Sequence, residues 1–198
     1  EKSFSEKIDF EFTKDLIIVE VELGAKKRRF LFDSGAPNVI SNELQEELKF
    51  EVKTSNRTVD SQGEAHILDF VYLEGLKIGQ LEFRKSIAAV ADLKSSVELQ
   101  CLKIDGVIGS NLMAKANWTI DFENQKIAFT DDSELPLEKN SDFEIPFIVD
   151  FQKTPQIKIG MGAEFSKYIT FDLGSSGGLN ISSSEFQKTY KEVKSYGI

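Results

Sequence analysis

One aspartate at the end of a short apolar run is the clearest sign of chemistry in the chain. The run is residues 30–32 (Phe-Leu-Phe), and Asp33-Ser34-Gly35 follows it. An apolar run bounded by turn residues predicts a buried strand. A carboxylate at the edge of a core is costly to bury, so it needs partners or a purpose. Hydrolysis of a peptide bond by a pair of aspartates is the purpose that this setting suggests.

A second aspartate, Asp172, stands in a weaker copy of the same pattern. A Gly-Ala pair precedes Asp33 by nine residues and Asp172 by ten. An Ile-Ser pair follows the two aspartates at seven and nine residues. The order of strand, glycine turn, strand, Asp turn and helix therefore predicts an internal repeat. In the second copy, however, Leu173 replaces the small hydroxyl residue.

Composition excludes several classes of function. The chain has 198 residues and a formal net charge of −9, which argues against nucleic acid or an anionic membrane as a partner. No run of about 18 apolar residues occurs, so we expect no transmembrane segment. His66 and Cys101 are the sole histidine and cysteine, too few for a cluster of metal ligands. We interpret His66 as a structural or surface residue and Cys101 as a small apolar core residue rather than a nucleophile.

Many short strand patterns with few helices predict an all-β barrel or sandwich. Asn42 and Gln45 fit a capping box for one short helix, and a second is expected at 110–115. Residues 131–142 are polar and aperiodic, which is typical of a linker. We therefore expect one lobe at 1–130, this linker, and the N-terminal part of a second lobe at 143–198.

A second motif, Val107-Ile108-Gly109, begins 74 residues after Asp33 (107 − 33). The chain resembles the pepsin and retropepsin family of aspartic proteases, whose hallmark is apolar-apolar-Asp-(Thr/Ser)-Gly followed later by apolar-apolar-Gly. The resemblance covers residues 10–130 well and 145–190 more loosely. It implies an all-β, retropepsin/pepsin-like acid-protease barrel lobe with few short helices, followed by the first half of a similar lobe.

The resemblance also implies roles for particular residues. Asp33 and Asp172 would be the catalytic carboxylates, and no metal or cofactor would be required. Ser34 would form hydrogen bonds across the base of the pair, and Gly35 and Gly174 would let backbone amides approach the carboxylates. A flap hairpin is expected at 58–68, with Gln62 and Gly63 near its tip. The substrate would be a peptide or protein.

Two features leave alternatives open. Leu173 can offer only packing where the family has a hydroxyl that links the two loops, and the second lobe looks incomplete. The second carboxylate would therefore come from Asp172, with a further C-terminal segment completing the lobe, or from Asp33 of a second copy in a homodimer. A catalytically inactive fold that serves as a peptide-binding or interaction module is the main alternative, and a purely structural β-domain is a third.

The compartment can be predicted only by analogy with this family. The acidic chain and the absence of an initial Met favour a periplasmic or extracellular protein.

Overall fold

The structure is a computed structural model that describes residues 3–59, 65–132, 143–161 and 165–179. In these ranges the chain forms fifteen strands and three short helices, which confirms the predicted all-β class. The strands are β1 (Ser5–Thr13), β2 (Leu16–Leu23), β3 (Lys26–Phe32), β4 (Val39–Ser41), β5 (Val52–Val59), β6 (Ala65–Leu73), β7 (Leu76–Ile78), β8 (Leu81–Phe83), β9 (Ser86–Ala91), β10 (Gly106–Ile108), β11 (Asn117–Asp121), β12 (Lys126–Thr130), β13 (Phe147–Val149), β14 (Pro155–Met161) and β15 (Phe165–Thr170). The helices are α1 (Asn42–Leu48), α2 (Val97–Leu102) and α3 (Ser110–Met113).

The hairpin β2–β3 delivers the first aspartate. Its tight turn places Gly24 and Ala25 at φ values of 64° and 58°, the left-handed conformation that two-residue hairpin turns require. A Cβ on Gly24 would also lie 2.4 Å from Leu48 Cδ2, so a side chain at this turn would collide with α1. The pairing runs from Leu23 opposite Lys26 to Ile18 opposite Leu31, and Asp33 follows directly after β3.

Strand β10 brings the two sequence motifs side by side. It pairs in parallel with β3 and antiparallel with β4, inside a sheet ordered β11-β12-β1-β2-β3-β10-β4-β9-β6-β5. The Asp33 amide extends this pairing by donating to the Ile108 carbonyl at 3.0 Å. A Cβ on Gly109 would lie 2.1 Å from the Pro37 carbonyl carbon, so the loops that follow β3 and β10 touch backbone to backbone.

Aromatic side chains fill the core beneath the end of β3. The Trp118 ring stacks on Phe129 with centroids 4.6 Å apart and meets Phe32 edge-on at 5.2 Å. Phe32 is 1% exposed and immediately precedes Asp33. Full burial of such a side chain is worth about 1.5–3 kcal/mol. This packing therefore anchors the backbone that carries the first carboxylate.

The helices correct three predictions. Helix α1 is capped by Ser41 rather than by Asn42, because the Ser41 hydroxyl accepts from the Leu44 amide at 3.1 Å. Helix α3 ends at Met113 rather than at 115. Helix α2 was not predicted, since it buries only Leu102 and so shows little apolar periodicity. No described helix is long and apolar enough to cross a membrane.

A separate three-stranded sheet follows in the order β13-β14-β15. The antiparallel pair β14–β15 leads to Asp172 as β2–β3 leads to Asp33. The predicted boundaries at 130 and 143 stay predictions, because residues 133–142 lie outside the described residues. In the first sheet, β5 and β6 pair antiparallel up to Val59 opposite Ala65. The predicted flap residues Gln62 and Gly63 lie outside the described residues.

Candidate active site

The structure brings Asp33 and Asp172 together across two glycines. A Cβ on Gly174 would lie 2.2 Å from the Asp33 Cγ, and a Cβ on Gly35 would lie 2.4 Å from the Asp172 Cγ. Each carboxyl group therefore lies against the glycine of the opposite loop, so close that any side chain at the glycine position would collide with it. The two carboxyl groups also interact electrostatically, since the charge of Asp172 raises the pKa of Asp33. Four of the sequence-predicted residues thus meet at one place.

Both loops orient their carboxyl group by the same local hydrogen bond. The Gly35 amide donates to Asp33 Oδ1 at 2.6 Å, and the Gly174 amide donates to Asp172 Oδ1 at 2.8 Å. Asx turns of this kind fix a carboxylate relative to its own backbone. The two loops are therefore alike where they present their carboxyl groups.

Ser34 joins the loops from one side. Its hydroxyl donates to the Phe171 carbonyl at 2.6 Å and accepts from the Leu173 amide at 3.0 Å. The side chain is buried, with 4% of its surface exposed. One hydroxyl thus holds two backbone groups on either side of Asp172. Loss of a buried partner costs about 1–3 kcal/mol, so this contact fixes the second loop strongly.

Leu173 has the position in the second loop that Ser34 has in the first. It is half-buried and packs against the core cluster that contains Phe32 and Phe129. The contact is apolar, so the second loop is held through side-chain packing where the first provides a hydroxyl.

The electrostatics of the two carboxyl groups are coupled. Burial, and after it the negative charge of Asp172, raise the pKa of Asp33 from its ordinary value of 3.8 to about 7. The amides of Gly35 and Ala36 oppose this rise in pKa by donating to the carboxylate. Asp33 is half-buried and Asp172 is exposed. Since the groups interact, the titration belongs to the pair as a whole.

Sequence reasoning missed Asn38, which supports the first loop. Asn38 is fully buried, and its Oδ1 accepts from the Gly109 amide at 2.8 Å while its Nδ2 donates to the Ile87 carbonyl at 3.1 Å. Asn111 donates to the same Ile87 carbonyl at 2.9 Å. This amide network ties the loop after Asp33 to β9 and to the second motif. Asn38 follows a turn sequence, so only its burial distinguishes it from an ordinary loop residue.

Other candidate groups lie apart from the carboxyl pair. Cys101 is exposed on α2, so the prediction that it belongs to the core is wrong. His66 is exposed on β6. Among the described residues, no three His, Cys, Asp or Glu side chains are grouped so that they could hold a metal ion.

Residues 19–112 match the profile of the family described as Aspartyl protease. The match spans both Asp33-Ser34-Gly35 and Val107-Ile108-Gly109 and ends before Asp172. The match supports the resemblance to the aspartyl protease family that the two motifs predicted. The all-β architecture confirms the predicted all-β class, and the family match agrees with the retropepsin-like fold predicted for this part of the chain.

Among solved structures, the chain is similar to a retropepsin-like aspartic protease from Rickettsia conorii. The two share 17% sequence identity over 66% of this chain and 94% of that chain, with a TM-score of 0.46. A comparison with curated proteins finds no match.

Proposed function

We propose that the protein is an aspartic endopeptidase in which one water is activated between Asp33 and Asp172. A protease-type function is supported by the family match. The observation that carries the mechanism is the reciprocal placement of each carboxyl group against the glycine of the other loop. Both carboxyl groups come from one chain, which favours catalysis within a single molecule over a dimer of Asp33 residues.

The pair has the groups that peptide hydrolysis needs. The ionised carboxylate accepts a proton from water, whose oxygen attacks the peptide carbonyl carbon, while the protonated carboxyl donates to the carbonyl oxygen. The tetrahedral diol then returns a proton to one carboxylate, the C–N bond breaks, and the leaving amine takes a proton from the other carboxyl. The pair ends with one proton, as it began.

The pH dependence of the reaction follows from the shared proton. Because burial and the Asp172 charge raise the pKa of Asp33 to about 7, the pair keeps its proton in weakly acidic solution. We expect kcat to fall as the pH rises through about 7, since the acid that donates to the carbonyl oxygen is then lost.

Cleavage of a mixed peptide library, analysed by mass spectrometry, tests the proposal. The wild type should cut internal peptide bonds, and a statine-containing peptide, which mimics the tetrahedral intermediate, should inhibit it. Asp33→Asn and Asp172→Asn should each abolish cleavage. Activity of Asp33→Asn equal to that of the wild type would contradict the proposal.

A mixing experiment distinguishes one chain from two. If the pair forms within a chain, Asp33→Asn and Asp172→Asn stay inactive when mixed. A dimer that pairs two copies of Asp33 would instead leave Asp172→Asn fully active.

The second candidate is a catalytically inactive peptide-binding module, which Leu173 favours because it replaces a hydroxyl of the family motif. Peptide binding with a measurable Kd, no cleavage between pH 4 and pH 8, and no effect of Asp33→Asn on that Kd would favour this candidate.

A further inference from the structure

The first residue of α3 lies between the Asp33 loop and the segment that precedes β14. Ser110 follows Gly109 of the second motif, and its backbone amide donates to the Ala36 carbonyl in the Asp33 loop at 2.8 Å. Its hydroxyl points the other way and donates to the Gln152 carbonyl at 2.9 Å. One residue, 1% exposed, is therefore tied to the first loop by its backbone and to the chain before β14 by its side chain.

A second buried hydroxyl strengthens this contact. Thr154 is 4% exposed, and its Oγ1 lies 3.5 Å from Ser110 Oγ, at the limit of a hydrogen bond. Buried hydroxyl groups need partners, because an unpaired one costs about 1–3 kcal/mol. The two residues therefore hold the segment around Gln152 in one place against α3.

That segment is a turn braced by its own aspartate. Asp150 Oδ1 accepts from the amides of Gln152 and Thr154 at 2.8 and 2.9 Å, and the Lys153 amide donates to the Asp150 carbonyl at 3.1 Å. The Asp150 amide also donates to the Thr154 carbonyl at 3.2 Å. Since four bonds close the turn, its position at Gln152 determines its position at Thr154. We call residues 150–154 the docking turn.

The docking turn leads to the second carboxyl group in two steps. It is followed directly by Pro155, the first residue of β14, whose carbonyl accepts from the Phe171 amide at 2.9 Å. The Phe171 carbonyl in turn accepts from the Ser34 hydroxyl. The residue before Asp172 is therefore held through its amide by Pro155, which follows the docking turn, and through its carbonyl by Ser34.

We propose that Ser110 is a positioning residue for the catalytic pair: its hydroxyl holds the docking turn, and thereby Asp172, in register with Asp33. The proposal rests on the function proposed above. Ser110 touches neither carboxyl group, so it acts through the backbone of 150–155 and 171.

Ser110→Ala tests the proposal, with Ser86→Ala as the matched control. Ser86 is also 1% exposed, but its hydroxyl donates to the Phe83 carbonyl at 3.4 Å and accepts from Lys115 Nζ at 3.3 Å, and neither partner belongs to the docking turn. We expect Ser110→Ala to lower kcat about tenfold with little change in KM, because small displacements of reacting groups have effects of this order and larger. Ser86→Ala should leave kcat unchanged.

A titration separates positioning from general stability and does not need activity. The Asp33 carboxyl is faced by Asp172 and by the amides of Gly35 and Ala36. If Asp172 moves away in Ser110→Ala, its charge no longer opposes ionisation of Asp33, so the Asp33 midpoint falls. The ¹³C chemical shift of the Asp33 carboxyl carbon measures this midpoint in both serine variants.

The outcomes are distinct. A lower midpoint in Ser110→Ala and an unchanged one in Ser86→Ala support the proposal, even if the wild type cleaves nothing and the proposed function fails. Equal midpoints and equal kcat in both variants overturn it. If Ser110→Ala does not fold, Asp150→Ala replaces it, since loss of the brace should release the docking turn and lower the midpoint likewise. An unchanged midpoint in Asp150→Ala would then overturn the proposal.

Discussion

The two Asp loops present their carboxyl groups alike but are supported differently. Asp33 follows a strand whose last three residues, 30–32, are 0–3% exposed. Asp172 follows Phe171, which is 48% exposed, and a strand that includes Tyr168 at 46%. The first carboxyl group is thus built onto a core, whereas the second stands on an open three-stranded sheet.

This difference shows that the second loop depends on the first. Ser34 gives its hydroxyl to the second loop, and Leu173 returns an apolar side chain to the core of the first. The pair is therefore symmetric at the carboxyl groups and asymmetric one residue later. A site of this kind should respond unequally to equivalent changes in its two halves.

The largest expected effect is on the pH dependence of the free energy of unfolding, through the Asp33 carboxyl group. Asp33 has a pKa of about 7 in the folded protein and an ordinary value of 3.8 when unfolded. Because the folded state binds the proton more tightly, stability falls as the pH rises from about 4 to about 7. That difference in pKa corresponds to at most about 4 kcal/mol.

Asp33→Asn should remove this pH dependence. The variant should therefore be more stable than the wild type at pH 8, and its advantage should be smaller at pH 4. Asp172→Asn should remove only the part due to its charge, because burial of Asp33 remains. Urea denaturation at the two pH values measures both. Equal gains in the two variants would show that the carboxyl groups have equivalent surroundings.

Gly174→Ala should have the next largest effect. The new Cβ would lie 2.2 Å from the Asp33 Cγ, so one of the two loops must move. Displacement of about 1 Å can cost about 100-fold in rate, and we expect a loss of kcat of that order. Gly178→Ala is the control, since nothing lies within 4 Å of its Cβ position. Full activity in Gly174→Ala would mean that the carboxyl groups do not meet as described.

Ser34→Ala should follow in size. It leaves the Phe171 carbonyl and the Leu173 amide without the hydroxyl, at a cost of about 1–3 kcal/mol in unfolding free energy. Because both groups flank Asp172, kcat should fall as well. Ser34→Thr keeps the hydroxyl and should retain most of the activity. If Ser34→Ala and Ser34→Thr have the same unfolding free energy and the same kcat, then the hydroxyl does not support the second loop.

Local patterns in the sequence predicted much of the fold and part of the site. Apolar runs ending in Asp33 or Gly109 predicted the two buried strands, because strand burial is visible over a few residues. The repeat predicted the loop at Asp172, which the structure places beside Asp33.

The contacts between distant segments were beyond such patterns. Asn38 bonds to a residue 71 positions away and Ser110 to one 42 positions away. Neither residue differs in type from those of ordinary turns. Their importance comes from burial between packed loops, which no local periodicity records.

Leu173 gives the smallest expected effect and tests the asymmetry directly. If the second loop is held by packing, Leu173→Met should be close to the wild type in kcat and in unfolding free energy. Leu173→Ala should lose about 1 kcal/mol, since a half-buried leucine contributes about half of the value for full burial. Leu173→Thr introduces the hydroxyl that the family motif has at this position. Because the side chain faces an apolar cluster that contains Phe32, we expect Leu173→Thr to resemble Leu173→Ala. If Leu173→Thr instead exceeds the wild type in kcat, then the position can accept the reciprocal hydrogen bond, and the difference between the loops lies in this one side chain rather than in the sheets that carry them.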